Sequence, residues 1–283
     1  MTTSTPDTIA VALCLGLLAS CGATRNAEDA AQAELPEMLT SFGDQTPDYV
    51  PDGALDAVVM IQTPDRSTYG SAIGVSETHL LTAIHVVQGW QSEPGVVPLR
   101  VDGDLAEATI VARGSLDAHH GDWALLELPR RMWPAIAPVH APAHGAEWSP
   151  EADTEVLLVG YAAGFFTAER GSAEGEDPPV VLVDAPTPSV VMRMAEARES
   201  SWTLRGDPLD LGGMSGGAAM VWNEARPRAE LIGVFVGYSP ARRISTTETV
   251  VGGIVLSRET ESFPTVRFNV MRLPLAALEA LAN

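Results

Sequence analysis

From residue 55 onward, short apolar or alternating runs recur between turn residues, and each run is four to ten residues long. They are LDAVVMIQ (55–62), YGSAIGV (69–75), HLLTAIHVV (79–87), VVPLRV (96–101), ATIVA (108–112), DWALLEL (122–128) and EVLLVGY (155–161). PVVLV (179–183), SVVMRM (189–194), SWTL (201–204), AAMVW (218–222), AELIGVFVGY (229–238), VGGIVL (251–256) and VRFNV (266–270) continue the pattern. This spacing predicts strands. Asp102-Gly103, between two of the runs, is a hairpin turn signal. Helical periodicity of useful length occurs only at the end, where Pro274 opens LPLAALEALAN and Leu275, Leu278 and Leu281 share a face. The pattern therefore predicts an all-β barrel or sandwich with a C-terminal helix. Residues 141–153 and 164–179 read as surface insertions, the first separating two lobes.

At 283 residues the chain has room for one two-lobed domain or two small ones. Its 46% apolar and 19% charged residues, with 25 Gly and 21 Pro, fit a turn-rich globular protein. Acidic residues outnumber basic ones 37 to 17, a net charge of −20, and a surface of that sign repels phosphate backbones, which argues against nucleic acid as a partner. No lysine occurs anywhere in the chain, so Schiff-base and Ser-Lys mechanisms lack their amine.

The first segment reads as an address. Residues 9–18 (IAVALCLGLL) form an apolar run too short to span a bilayer and of the length of a signal-peptide centre. Leu18-Ala19-Ser20-Cys21-Gly22 resembles the lipobox of bacterial lipoproteins, which implies cleavage before Cys21 and its lipidation. Acyl chains anchor at about 0.8 kcal/mol per buried methylene. Asp7, with no Arg in residues 1–8, departs from the usual basic start of such a signal. Residues 1–20 are thus expected to be a signal peptide and 21–53, acidic and Pro-containing without sustained period, a tether. The only other cysteine, Cys14, lies in the segment to be removed, so the mature chain is expected to carry no disulfide.

Residues 213–217 read Gly-Met-Ser-Gly-Gly, where glycines around a serine permit a tight turn and bring N–H groups close to whatever the hydroxyl attacks. The same residues satisfy the G-x-S-x-G of α/β-hydrolases. Chain order decides against that fold. All six histidines (His79, His85, His119, His120, His140 and His144) precede Ser215, whereas an α/β-hydrolase places its base after the nucleophile. A subtilisin-like order would need flanking helices that the pattern lacks. His, Asp, Ser remains, with His85 in LLTAIHVV and Asp122 in GDWALLEL.

These three segments, in this order, resemble the chymotrypsin-like (trypsin-fold) serine proteases, which carry L-T-A-A-H, D-x-A-L-L-x-L and G-x-S-G-G. Val159-Gly160-Tyr161 and Leu231-Ile232-Gly233-Val234 are similar to the strand opening the family's second barrel and the strand after its nucleophile. The resemblance covers residues 54–283 and implies two six-stranded antiparallel β-barrels, 54–145 and 146–283, the second ending in the helix.

It further implies a serine endopeptidase acting through an acyl-enzyme on protein or peptide substrates, held at the bacterial envelope by its lipid. Ser215 would be the nucleophile, His85 the base and then acid, and Asp122 the buried carboxylate that fixes the imidazole tautomer. The amides of Gly213 and Ser215 would form the oxyanion hole. No cofactor and no metal is expected: adjacent strand residues such as His119 and His120 point to opposite faces. Met214 stands where digestive members carry an Asp that pairs with a new N-terminus, so activation by that pair is excluded, and Ile84 replaces the usual second Ala. Leu209, six before the serine, implies an apolar primary pocket; a one-residue shift would put Asp210 there and favour Arg or Lys in the substrate. The alternative class is a catalytically silent trypsin-fold lipoprotein that binds without cutting.

Overall fold

The computed structural model describes residues 48, 56–101, 103–114, 116, 121–129, 151–162, 189–197, 201–206, 209, 211–223, 228–251 and 254–273. Its strands close into two antiparallel barrels of six. The first comprises β1 (Val58–Gln62), β2 (Tyr69–Ser76), β3 (His79–Thr82), β4 (Val96–Val101), β5 (Asp104–Arg113) and β6 (Ala124–Glu127). The second comprises β7 (Glu155–Val159), β8 (Ser189–Ala197), β9 (Ser201–Arg205), β10 (Ala218–Asn223), β11 (Arg228–Val251) and β12 (Ile254–Arg272). The first closes in the order β1-β2-β3-β6-β5-β4 and the second as β10-β11-β12-β9-β8-β7. Read from β7, the second order is the same as the first, so one topology is used twice.

Each barrel is filled by the inward side of its alternating strands. In β4, Val97, Leu99 and Val101 are buried while Val96, Pro98 and Arg100 are partly exposed. β5 adds Ala106 and Ala108, and β6 adds Leu125 and Leu126. The second barrel is filled by Val156, Leu158, Met192, Trp202, Leu204, Ile232, Phe235 and Phe268 among others. Val101 pairs with Asp104 where the hairpin was expected, with Gly103 between them at φ +89°. Trp123 and Phe235 are core residues.

Three elements depart from the sequence pattern. The run 79–87 is a strand only to Thr82; Ile84–Val87 then form one helical turn, α1, followed by a 3-10 turn at Gln88–Trp90. β11 continues to Val251 rather than ending at Tyr238, so the run at 251–256 is divided between two strands, and its part from Ile254 belongs with the run at 266–270 to a single strand, β12. β11 and β12 pair from Gly233↔Arg272 out to Val251↔Ile254, whereas β12 meets β9 only from Phe268 to Met271. A long two-stranded ribbon therefore leaves the second barrel. The expected signal peptide, the run 179–183, the insertion 164–179 and the C-terminal helix lie outside the described residues. The expected tether does too, apart from Asp48.

Candidate active site

β3 and β6 are neighbours, and their register decides what stands at the end of the ladder. Thr82 pairs with Ala124, so the chain leaving β3 and the chain entering β6 part at the same edge of the first barrel. Asp122 lies two residues before that pair and His85 three after it. α1 sets the direction of the imidazole. Ala83 is still extended, with φ −78° and ψ 138°, and the helical turn that follows buries Ile84, Val86 and Val87 while leaving His85 exposed. Ile84 is thereby accommodated in the first core, 4% exposed. On the facing side, the Trp123 amide donates to the Gly121 carbonyl at 3.2 Å and the Trp123 ring is buried, which fixes the turn that carries Asp122.

His85 Nδ1 lies 2.5 Å from Asp122 Oδ2, and the His85 backbone amide donates to Asp122 Oδ1 at 3.0 Å. An ionised carboxylate only accepts, so the ring proton sits on Nδ1 and Nε2 keeps its lone pair. That is the tautomer a general base needs. The side chain of Asp122 retains 16% exposure and that of His85 35%. The carboxylate is shielded rather than sealed off.

Ser215 comes from the second barrel, in two consecutive tight turns that lead into β10. The Met214 amide donates to the Leu211 carbonyl at 3.0 Å and the Gly217 amide to the Met214 carbonyl at 2.8 Å. Gly213 and Gly216, third residues of these turns, have φ +90° and +88°, whereas φ is not positive at Gly212 or Ser215. Both are type II turns, which need a left-handed third residue. A side chain at either glycine is also excluded by space: a Cβ at Gly213 would run into the Tyr69 ring, and one at Gly216 into the Ser71 carbonyl and Thr82 Oγ1. The G-M-S-G spacing is thus the signature of paired type II turns. Met214 anchors them, fully buried in the second core. On the other side the Gly216 amide donates to Phe235 O and the Phe235 amide to Gly217 O, both at 2.8 Å. Ser215 itself is half-buried. Among the described residues, neither the Gly213 amide nor the Ser215 amide donates to a backbone carbonyl.

The two halves meet through β2. The Ser71 amide donates to the Ser215 carbonyl at 2.9 Å, and the Ser71 hydroxyl donates to the Gly213 carbonyl at 3.3 Å while accepting the Tyr161 amide at 2.9 Å. Thr82 Oγ1, three residues before His85, donates to the Ser71 carbonyl at 2.7 Å. The imidazole-bearing and serine-bearing segments are therefore tied to one residue. Sequence reading passed over Ser71 as part of a strand; a lone serine amid Gly, Ala and Ile was its only signal.

Of the remaining site predictions, Leu209 is buried, 2% exposed, within the second core beside Leu211 and Met214. Asp210 and Cys21 lie outside the described residues, as do His119, His120, His140 and His144. His79 is engaged elsewhere, its Nδ1 2.8 Å from Ser76 Oγ and 3.0 Å from Thr78 Oγ1 in the β2–β3 turn.

No protein-family profile matches the sequence, and no curated protein does. Solved structures do match. The chain is similar to a scabies mite inactivated protease paralogue, with a TM-score of 0.50 and 14% identity over 85% of this chain and 99% of that one. It is also similar to the Rv3671c protease in an inactive form, at a TM-score of 0.45 and 17% identity over 82% of this chain and 92% of that one. A serine-to-alanine variant of Rv3671c from M. tuberculosis gives 0.47 and 17% over 88% of this chain and 96% of that one. The chain has the double-barrel fold of the trypsin-like serine proteases.

Proposed function

We propose that the protein is a serine endopeptidase, with Ser215 as nucleophile, His85 as general base and acid, and Asp122 as the carboxylate that orients it. The observation that carries this reading is the pair of hydrogen bonds from His85 to Asp122, which leaves the Nε2 lone pair free to accept a proton, in a protein where Ser71 ties the His85-bearing strand to the Ser215 turns. The fold alone does not select activity, since an inactivated protein shares it. The reading is supported by the side chains at His85 and Asp122.

In this reading Nε2 takes the Ser215 proton as Oγ attacks the peptide carbonyl, and the oxyanion that forms is received by the Gly213 and Ser215 amides. The imidazolium, held by Asp122, then gives its proton to the leaving amine, and the acyl-serine is hydrolysed by a water activated at the same Nε2. No step calls on a lysine, of which the chain has none. In this reading Leu209, buried in the second core, stands at the base of an apolar primary pocket.

The catalytic unit in this proposal is residues 54–283, preceded by a signal peptide (1–20) and an acidic tether (21–53), with Cys21 lipidated and the enzyme held at the bacterial envelope. Its partners are protein or peptide substrates and the lipid bilayer. Both barrels close with residues from Val58 onward, which supports a separate N-terminal role. Replacing Cys21 with Ser is expected to move the protein from the membrane fraction to the soluble one.

A fluorophosphonate probe tests the chemistry. Labelling at Ser215 in the wild type and its loss in His85→Ala are expected; properly folded wild-type protein that takes no label would refute the peptidase reading.

A further inference from the structure

We infer that Ser71 is a positioning residue for catalysis, the peg that sets the Ser215 turns relative to His85. This inference rests on the peptidase reading above. Ser71 is fully buried at the seam. Every polar group it owns is committed there: its amide to Ser215 O, its carbonyl to Thr82 Oγ1, and its hydroxyl both to Gly213 O as donor and to the Tyr161 amide as acceptor. Two of these bonds hold the carbonyls of Gly213 and Ser215, the very residues whose amides would receive the oxyanion. A third runs to the strand that ends in the His85 turn. One residue in the first barrel thus ties the segment of both donors to the strand before the base, through its backbone at Ser215 and Thr82 and through its hydroxyl at Gly213.

Its importance follows from what the chain lacks. Met214 occupies the place from which a carboxylate could have braced the turn by pairing with a new N-terminus, and it is sunk in apolar core. An apolar anchor opposes withdrawal of the turn, but it has no directional preference for how the peptide planes are aimed. Hydrogen bonds supply that direction. Among the described residues the Ser71 hydroxyl reaches the Gly213 carbonyl from outside the turn, and no cleavage event is needed to bring it there.

The test compares wild type, Ser71→Ala, Ser71→Cys and Val97→Ala, the last a first-core truncation away from the seam that matches any loss of stability. Turnover of a peptide substrate is read as separate kcat and KM, alongside the affinity of a peptide boronate, whose tetrahedral adduct with serine places an oxygen where the oxyanion would lie. Loss of one direct oxyanion donor costs roughly 100- to 1,000-fold in kcat. Loss of the group that aims such donors is expected to cost less, about 10- to 100-fold, in Ser71→Ala, with KM within about threefold and boronate affinity falling in parallel. Ser71→Cys keeps a weaker donor and should lose about three- to tenfold. It is also the variant to read should Ser71→Ala fail to fold. Val97→Ala should keep wild-type kcat.

Wild-type turnover with both Ser71 variants behaving like Val97→Ala would overturn this role alone. A wild type that neither turns over peptide nor binds the boronate would overturn the peptidase reading and this role with it.

Discussion

His85 and Asp122 are joined twice, once through the imidazole Nδ1 to Oδ2 at 2.5 Å and once through the backbone amide to Oδ1 at 3.0 Å. Both carboxylate oxygens are therefore spent on one residue. The amide bond fixes where the carboxylate sits, and the imidazole bond fixes which ring nitrogen carries the proton.

Asp122→Asn separates those two jobs. Its amide nitrogen would donate toward Nδ1 and move the ring proton to Nε2, which can then no longer accept from Ser215. With the backbone contact still available, the fold is expected to survive and kcat to fall by about 10,000-fold, the order that loss of the correct imidazole tautomer costs in a serine protease triad. Steady-state kinetics beside a thermal melt distinguishes the loss of tautomer from loss of structure.

Gly216→Ala should damage structure rather than chemistry alone. At φ +88° an alanine is strained, and its Cβ would overlap the Ser71 carbonyl and Thr82 Oγ1, which are hydrogen-bonded to each other. The combined cost is expected to exceed about 2 kcal/mol. Denaturant unfolding measures it, and a midpoint unchanged from wild type would contradict the turn assignment.

Glu230 offers a test away from the site. Its side chain is 1% exposed, and Oε1 accepts from Asn223 Nδ2 at 2.9 Å and from Arg228 Nε and an Arg228 terminal nitrogen at 3.2 Å. Arg228→Ala removes the cation but leaves the carboxylate buried, at an expected cost of about 2 to 4 kcal/mol. The double variant Arg228→Ala with Glu230→Gln should recover part of that in urea unfolding.

Removal of residues 1–53 should leave the melting temperature and fluorophosphonate labelling at wild-type values. Both barrels are closed by strands that begin at Val58. A truncated chain that fails to fold would show that the N-terminal segment contributes to a core.

The strand pattern was legible because half-buried strands write their two faces into alternate residues, as in Val97, Leu99 and Val101. The ribbon was not. Residues 239–250 and 257–265 pair with each other beyond the barrel and carry Ser, Thr, Arg and Glu, so no apolar period marks them as strand. α1 was missed for the opposite reason: Ile84, Val86 and Val87 are apolar in a run that reads equally well as strand or helix over so few positions. At the candidate site, His85, Asp122 and Ser215 stood out by residue type and local motif. Ser71 did not, because its role comes from backbone and hydroxyl contacts across more than 140 residues of sequence, which no local pattern records.

The most direct test of the central claim is a mutant cycle on peptide hydrolysis with wild type, Ser215→Ala, His85→Ala and the double variant. Groups that act as one unit lose nearly everything on the first removal, so the account predicts that the double variant is no slower than either single one. Losses that multiply in the double variant, or a His85→Ala protein that cuts at the wild-type rate, would contradict it.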